Sequence, residues 1–169
     1  MNRVIVFCGL PGSGKTTLAT EVSCQMNIFC LHKDAVKKRL HGYLNGMSLD
    51  DSRKIGFHSI RLLIALADDA MKNGTDIIIE STFNHPDNVE QFVKWVTEGR
   101  DVRVIVCRVD EEERKRRFVS RPRHEAYHGT ERTFFEDIFD YGLMPGKKLL
   151  LDTAKPIGES VEKIIKFLN

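Results

Sequence analysis

The segment Gly9-Leu-Pro-Gly-Ser-Gly-Lys-Thr16 limits the possible folds of this chain more than any other feature of its sequence. It follows the apolar run Val4–Cys8, which is typical of a buried strand, and it leads into a stretch of helical period. The spacing matches G-x-x-x-x-G-K-[ST], which between a strand and a helix forms a phosphate-binding loop, or P-loop. Glycines allow backbone N–H groups to converge on an anion at the start of the helix. We therefore predict phosphate contacts from Gly9, Leu10, Pro11, Gly12, Ser13, Gly14, Lys15, Thr16 and Thr17.

Lys15 and Thr16 supply chemistry that a bare glycine turn would not need. An ammonium group at position 15 can reach the β- and γ-phosphates of a nucleotide, and a hydroxyl at position 16 can ligate Mg²⁺. We therefore predict ATP and Mg²⁺ as ligands. A P-loop alone does not distinguish a kinase from an ATPase or a GTPase. The chain has no Asn-Lys-x-Asp segment to read guanine, and its 169 residues leave no space for the helical lid domain of an AAA-type ATPase.

Apolar runs of strand length alternate with longer segments of helical period along the chain. This alternation predicts an α/β protein whose mainly parallel sheet is covered by helices on both faces. We expect one domain over 1–169 with the three-layer P-loop NTPase fold, five strands and a small lid at about 114–130. The predicted strands span 4–8, 28–31, 75–80, 102–109 and 149–152. The predicted helices span 15–26, a stretch from about 34, 48–72, 86–97, 111–121, 130–140 and 158–168.

Charge and composition argue against several kinds of function. The formal net charge of +2 is too small to indicate binding to nucleic acid or to a membrane surface. No apolar run approaches the roughly 20 residues of a membrane span, and Met1 leads directly into a strand without a signal-peptide pattern. We therefore expect a cytoplasmic protein. The four cysteines form no C-x-x-C pair and lie in or beside apolar stretches, which predicts buried, reduced thiols.

Three acidic residues follow predicted strands, at the edge where ligands bind in an open parallel sheet. Asp34 could orient an acceptor hydroxyl and take its proton, and it could also cap the helix that begins there. Glu80 ends the Walker-B-like strand Ile77-Ile-Ile-Glu80, where an acid commonly holds the metal through water. Asp152 is expected to cap or orient the loop after the last strand. The sequence thus predicts Asp34 as catalytic, and Thr16 with Glu80 as the metal site.

The segment 111–123 combines three acids with six bases, which usually form a solvated helix face with ion pairs such as Glu113 with Arg117. Arg117 and Arg121 also lie four positions apart on one face. An arginine beside a transferring phosphate stabilises the charge that develops there, so we predict that at least one of the two contacts phosphate. Binding of nucleic acid is not expected, because aromatic residues that could stack on bases are not interleaved with these charges.

The segment His124-Glu-Ala-Tyr-His128 matches H-E-x-x-H, a pattern of zinc proteases. That motif requires a helix that presents both histidines on one face, together with a third ligand. Pro122 and Gly129 bracket the segment here, and no well-placed third ligand follows. We therefore expect part of a lid or of an acceptor-site loop, and no zinc site.

Taken together, these residues resemble the predicted-kinase family of small P-loop proteins, whose members include polynucleotide 5′-kinases, chloramphenicol phosphotransferase, gluconate kinase and zeta-toxin kinases. The resemblance covers essentially the whole chain and runs through GLPGSGKTTLA, Asp34, IIIESTF at 77–83, RFVSR at 117–121 and LDT at 151–153. It implies that Asp34 is the general base and that Arg117 or Arg121 is the lid arginine. It also implies that the segment with Thr153, Lys155 and Pro156 borders the adenine.

Several classes of acceptor remain open. The family often has Ser-Asp-x-x-Arg after the second strand, whereas this chain has Lys33-Asp34-Ala-Val-Lys37, and a lysine cannot make the planar two-bond phosphate contact of an arginine. This difference disfavours a polynucleotide kinase. We expect an ATP-dependent kinase for a small molecule or nucleotide, with segments 48–72 and 81–88 beside the acceptor. The alternatives are an ATPase or nucleotide-dependent switch, a toxin-type kinase for a nucleotide-sugar or RNA, and an inactive ATP-binding module.

Overall fold

The computed structural model describes residues 2–44, 49–121 and 139–169 of the chain. The strands are β1 (Arg3–Cys8), β2 (Cys30–His32), β3 (Ile77–Glu80), β4 (Asp101–Arg108) and β5 (Lys147–Asp152). The helices are α1 (Lys15–Met26), α2 (Lys33–Tyr43), α3 (Leu49–Lys72), α4 (Pro86–Thr97), α5 (Glu111–Val119) and α6 (Ile157–Leu168). The five strands of these segments form one sheet in the order β2-β3-β1-β4-β5, in which every neighbouring pair is parallel. No helix among the described residues is both long enough and apolar enough to cross a membrane.

Helices cover both faces of the sheet because its central strand is apolar in both directions. On one face, Val4, Val6 and Cys8 of β1 pack in a buried cluster with side chains of α3 and α4. On the other face, Ile5 and Phe7 pack with side chains of α1 and α6. All five of these strand residues are fully buried. The predicted three-layer α/β fold with a parallel sheet is therefore confirmed.

Three helix ends lie where local side-chain chemistry predicts them. Helix α4 begins at Pro86, since proline suits the first turn, where its missing N–H is not needed. The Asp110 side chain caps α5 by accepting a hydrogen bond of 2.9 Å from the backbone N–H of Glu113. After α3 the chain turns at Gly74, whose φ of 83° lies in the left-handed region that glycine adopts without strain.

Other boundaries differ from the prediction. Strand β2 lies two residues later at its start than the predicted 28–31, because pairing with Ile78 to Glu80 of β3 determines its extent. Helix α5 ends at Val119, two residues before the predicted end. The predicted helix over 130–140 does not include Phe139 or Asp140, and 130–138 lie outside the described residues.

The cysteines follow the prediction only in part. All four are free thiols, and burial is the main cause that raises the pKa of Cys107 to about 12. Cys8 is also buried, and Cys30 is partly buried. Cys24 is exposed, because α1 packs on the sheet through a different side. The prediction of burial is therefore wrong for Cys24.

Candidate active site

The P-loop turns tightly between β1 and α1, and its glycines are sterically required. A β-carbon on Gly9 would lie 2.4 Å from the carbonyl oxygen of Cys107 on β4. A β-carbon on Gly12 would lie 2.5 Å from the carbonyl oxygen of Arg114 on α5. The φ angles of both residues and of Gly14 are positive, at 140°, 85° and 81°. The loop can therefore follow this path only with glycine at these positions.

The first turn of α1 is suited to an anion. Its N-cap residue is Gly14, which has no side chain to bond the N–H groups of the first turn. These groups and the helix dipole together favour negative charge at this end. The hydroxyl of Ser13 is buried nearby and has no hydrogen-bond partner among the described residues. A phosphate group at the loop would accept hydrogen bonds from these N–H groups and from the Ser13 hydroxyl.

Lys15 carries a buried ammonium group whose contacts within the described residues are long. Its Nζ lies 3.4 Å from the carbonyl oxygen of Leu10 and 3.9 Å from Oε1 of Glu80, while only 7% of the residue is exposed. A charge withdrawn from water needs close partners to offset the loss of hydration. Oxygens of a bound phosphate would supply them, so Lys15 fits the role predicted for it.

Glu80 lies directly beside Thr16, as required for a shared metal site. The Thr16 hydroxyl donates a hydrogen bond of 3.1 Å to Oε1 of Glu80, which is 3% exposed. Hydroxyl and carboxylate oxygens are the ligand types that Mg²⁺ prefers. No group of three or more His, Cys, Asp or Glu side chains among the described residues could hold a metal by itself. A metal bound here would therefore also need oxygens from water and phosphate.

His32 is a residue of this site that was not predicted from the sequence. Its Nδ1 lies 3.1 Å from Oε2 of Glu80, on the oxygen opposite the one that Thr16 contacts. The contact arises because the last residues of β2 and β3 are in register, His32 opposite Glu80. The only sequence signal for it is weak, a histidine two positions before Asp34, and the predicted strand over 28–31 ends one residue too early to include it.

Asp34 lies in the first turn of α2, at the same edge of the sheet. The N-cap of this helix is His32, so the interpretation of Asp34 as its N-cap is wrong. Oδ1 of Asp34 accepts a hydrogen bond of 3.0 Å from Nζ of Lys33, and 44% of the Asp34 side chain is exposed.

The charges around Asp34 keep it ionised. Burial works to raise the pKa of the Asp34 carboxyl. The charge and hydrogen bond of Lys33, with the charges of Lys15 and Arg121, outweigh burial and lower this pKa below its usual value. Asp34 is therefore an accessible carboxylate within electrostatic reach of the P-loop lysine.

A cleft of about 660 Å³ extends from the P-loop along α5 and the segment after β5. Its lining includes the predicted nucleotide-binding residues Gly12, Gly14, Lys15, Thr16, Thr17, Thr153, Lys155 and Pro156, together with the predicted catalytic arginines Arg117 and Arg121. The segment after β5 is fixed to the P-loop by the Thr153 hydroxyl, which lies 2.9 Å from the carbonyl oxygen of Ser13. The Asp152 carboxylate accepts a hydrogen bond of 2.9 Å from the Ala154 N–H, which confirms its predicted role in orienting this loop.

Arg117 connects α5 to the segment after β5. Its Nη1 donates to the Thr153 hydroxyl at 3.2 Å, and its Nη2 donates to the Thr153 carbonyl oxygen at 3.1 Å. Its Nε donates to Oε1 of Glu113 at 2.7 Å, which confirms the predicted pair. Hydrogen bonds from Arg116 and Arg117 lower the pKa of Glu113 to about 2, so this carboxylate is ionised near neutral pH. The guanidinium group of Arg117 is thus held at the wall of the cleft.

Arg121 follows the end of α5 and also lines the cleft. The predicted lid begins within α5, and its part from 122 to 130, with the H-E-x-x-H segment, lies outside the described residues.

The two segments predicted to lie beside the acceptor, 48–72 and 81–88, contact one another. The ring centroid of Phe57 on α3 lies 6.2 Å from that of His85, just before α4. Their contact with an acceptor stays a prediction.

A family model described as an AAA domain, AAA_33, matches residues 4–136, which include the P-loop, Asp34, Glu80 and all of α5. The chain belongs to this family. The membership is consistent with the predicted resemblance to small P-loop kinases, and solved structures agree with it.

Three solved structures are similar over nearly the whole AAA_33 chain. A candidate kinase from Chloroflexus aurantiacus J-10-fl has 23% identity and a TM-score of 0.80, covering 99% of this chain and 96% of its own. A sugar kinase from Janibacter sp. HTCC2649 has 20% identity and a TM-score of 0.72, covering 99% and 95%. The Mycobacterium tuberculosis APS kinase CysC, in complex with AMPPNP and APS, has 17% identity and a TM-score of 0.66, covering 99% and 97%. These likenesses establish a P-loop kinase fold. A comparison with curated proteins finds no significant match.

Proposed function

We propose that this protein is an ATP-dependent kinase that transfers the γ-phosphate to a hydroxyl group, or to a phosphate, of a small molecule or nucleotide. One observation carries the proposal. The Asp34 carboxylate is 44% exposed, and the charges of Lys15 in the P-loop and of Arg121 in the cleft help to lower its pKa and keep it ionised. A general base beside a phosphate-binding loop is the arrangement that phosphoryl transfer to a hydroxyl needs.

Each of these side chains has a defined part in the transfer. Asp34 orients the acceptor hydroxyl and accepts its proton as the acceptor oxygen forms a bond to the γ-phosphorus. The bond from the γ-phosphorus to the bridging oxygen breaks, and the electron pair leaves with ADP. The positive charges of Lys15 and Arg121 stabilise the negative charge that develops on the phosphate oxygens in the transition state. Thr16 and Glu80 would hold Mg²⁺, which neutralises phosphate charge when bound.

The comparisons support the nucleotide part of this proposal. The family match includes the P-loop, and the similar APS kinase structure contains the ATP analogue AMPPNP. The sugar kinase and the APS kinase share the fold at identities of 20% and 17%.

Replacement of Asp34 by asparagine tests the proposal directly. We expect Asp34→Asn to lower turnover by about 10²-fold or more and to leave ATP affinity nearly unchanged, because the amide cannot accept the proton. The acceptor is first found by incubating the protein with ATP, Mg²⁺ and a metabolite library, with phosphorylated products detected by mass spectrometry. Asp101→Asn is the matched control, since Asp101 begins β4 at the opposite edge of the sheet and pairs with Arg103. Equal turnover of Asp34→Asn and the native protein would remove Asp34 as the base.

A second candidate is an ATPase or nucleotide-dependent switch. It is favoured by the buried Glu80 beside Thr16 and Lys15, since a carboxylate at a P-loop can also orient water. The same library experiment separates the two functions. Phosphorylated product in proportion to ADP supports the kinase, whereas ADP release at one constant rate with every acceptor supports the hydrolase.

A further inference from the structure

Glu80 is a buried carboxylate whose two oxygens have different partners. Oε1 accepts the hydrogen bond from the Thr16 hydroxyl at 3.1 Å and lies 3.9 Å from Nζ of Lys15. Oε2 lies 3.1 Å from Nδ1 of His32. The side chain of Glu80 is 4% exposed, so water can replace neither partner easily. The orientation of the carboxylate therefore depends on both Thr16 and His32.

The ring of His32 is itself held on its far side. Its Nε2 lies 3.4 Å from Oγ1 of Thr20, and this hydroxyl donates a hydrogen bond of 2.9 Å to the carbonyl oxygen of Thr16. Thr16, Glu80, His32 and Thr20 thus form a closed ring of contacts that joins α1, β2 and β3. An imidazole has polar atoms on two sides of one rigid plane, so it can reach Glu80 and Thr20 at once.

The closed set of contacts among Thr16, Glu80, His32 and Thr20 bears on metal binding because it includes the Thr16 hydroxyl. The Thr16 hydroxyl is the P-loop group that would ligate Mg²⁺, and its present partner is Glu80. When Thr16 serves a metal, His32 remains as the contact that holds Glu80 in its orientation. Groups that orient metal-ligating carboxylates commonly affect metal affinity about 10- to 100-fold.

From this geometry we infer that His32 is a positioning residue, which fixes Glu80 for magnesium-dependent nucleotide binding at the P-loop. The inference rests on the nucleotide-binding part of the proposed function. His32 acts through Glu80, since it is not among the residues that line the cleft at the P-loop. Its effect must therefore depend on both magnesium and Glu80.

Calorimetry with AMPPNP, in Mg²⁺ and separately in EDTA, tests this role without any acceptor. We expect His32→Leu to lower AMPPNP affinity about tenfold in Mg²⁺ and to leave the affinity in EDTA unchanged. His32→Asn should keep most of the native affinity, because its amide N–H can occupy the place of Nδ1. Thr20→Val, which removes the contact with Nε2 of His32 and the hydrogen bond to the Thr16 carbonyl oxygen, should show a smaller loss in the same direction.

A double-mutant cycle with Glu80→Gln decides whether His32 acts through Glu80. The loss caused by His32→Leu should disappear in the Glu80→Gln background, because the group that His32 positions is no longer a carboxylate. Equal losses in Mg²⁺ and EDTA, or an unchanged loss in the Glu80→Gln background, would show that His32 serves only packing and would overturn the inference. If His32→Leu does not fold, His32→Gln gives the decisive comparison, since its longer side chain places the amide nearer Thr20 than Glu80.

The two proposals fail in different ways. A native protein that binds AMPPNP with Mg²⁺ but phosphorylates no acceptor would contradict the kinase and leave the role of His32 supported by the variants. A His32→Leu variant with native Mg²⁺-dependent affinity would overturn the role of His32 alone. A native protein that binds no nucleotide would overturn both.

Discussion

Two lysines are buried among the residues that the structure describes, and their surroundings differ. Lys15 lies in the P-loop with 7% of its surface exposed, at the place where a phosphate would sit. Lys37 lies on α2 with 8% exposed, and its Nζ is 3.9 Å from the point where a β-carbon on Gly56 of α3 would lie. Burial is the main cause that lowers the pKa of Lys37 to about 8, and the charge of Lys33 adds to it.

The pKa of Lys37 predicts how stability changes with pH. Below about pH 8 the lysine is protonated in both the folded and the unfolded chain, and burial of its charge is unfavourable. Between about 8 and about 10.4, the ordinary lysine pKa, the unfolded chain binds a proton that the folded chain has released. The contribution of Lys37 to the free energy of unfolding therefore rises with pH over this range.

Urea unfolding of the nucleotide-free protein and of Lys37→Met, at several pH values from about 7 to about 10.5, measures this contribution. The native protein should gain stability relative to Lys37→Met as the pH rises. A constant difference between the two proteins across this range would mean that the pKa of Lys37 is not lowered by folding.

The path of the P-loop is determined by its contacts with β4 and α5. Gly12 presses against the backbone of Arg114, which is itself buried in α5 and donates to the carbonyl oxygen of Pro11 at 3.5 Å. The P-loop, the end of β4 and the middle of α5 therefore form one packed unit. A side chain at position 12 would push the loop away from α5.

We expect Gly12→Ala to destabilise the protein by at least about 1–2 kcal/mol, because its φ is positive and its β-carbon would meet a backbone oxygen. Nucleotide affinity should fall with it. Gly42→Ala is the matched control, since nothing lies within 4 Å of a β-carbon there and alanine favours the helix by up to about 1 kcal/mol. Thermal unfolding and AMPPNP calorimetry of both variants would check this. Native affinity in Gly12→Ala would contradict the requirement for glycine at position 12 of the loop.

The elements also show which parts of the structure were predictable from sequence. The P-loop and the starts of α4 at Pro86 and of α5 at Glu111 depend on residues close in sequence, and the predicted positions agree with the structure. The extent of β2 and the contact of His32 with Glu80 depend on pairing between strands 48 residues apart, and local patterns carry little information about such pairing. The contacts of Arg117 with Thr153 were not predicted either, because they join a helix to a loop 36 positions later in the sequence.

For the whole molecule, the sheet order is what assembles the site. Strand β1 lies between β3 and β4, so the P-loop after β1 is flanked by Glu80 at the end of β3 and by α5 after β4. Because the strands are parallel, all their carboxyl ends meet at one edge. Residues from distant parts of the chain thus form a single site.

This assembly predicts that nucleotide stabilises the entire fold. At a free ATP concentration about 100 times its dissociation constant, with Mg²⁺ present, binding should add about 2.7 kcal/mol to the free energy of unfolding. For a chain of this size the melting temperature should then rise by about 5–10 °C. Trp95 is buried and is the one tryptophan of the chain, so its fluorescence reports the transition. Lys15→Ala should lose most of the shift, and an equal shift in that variant would show that ATP binds elsewhere.

The bond between Thr153 and Ser13 spans 140 positions of the sequence. During synthesis on the ribosome, the P-loop emerges early, but the wall of its cleft is complete only after the last strand has left the exit tunnel and paired. A nascent chain therefore has no finished nucleotide cleft to bind ATP while most of the sheet is forming. Under the proposed function, ATP therefore stabilises the folded product of synthesis, and the early steps of folding proceed without it.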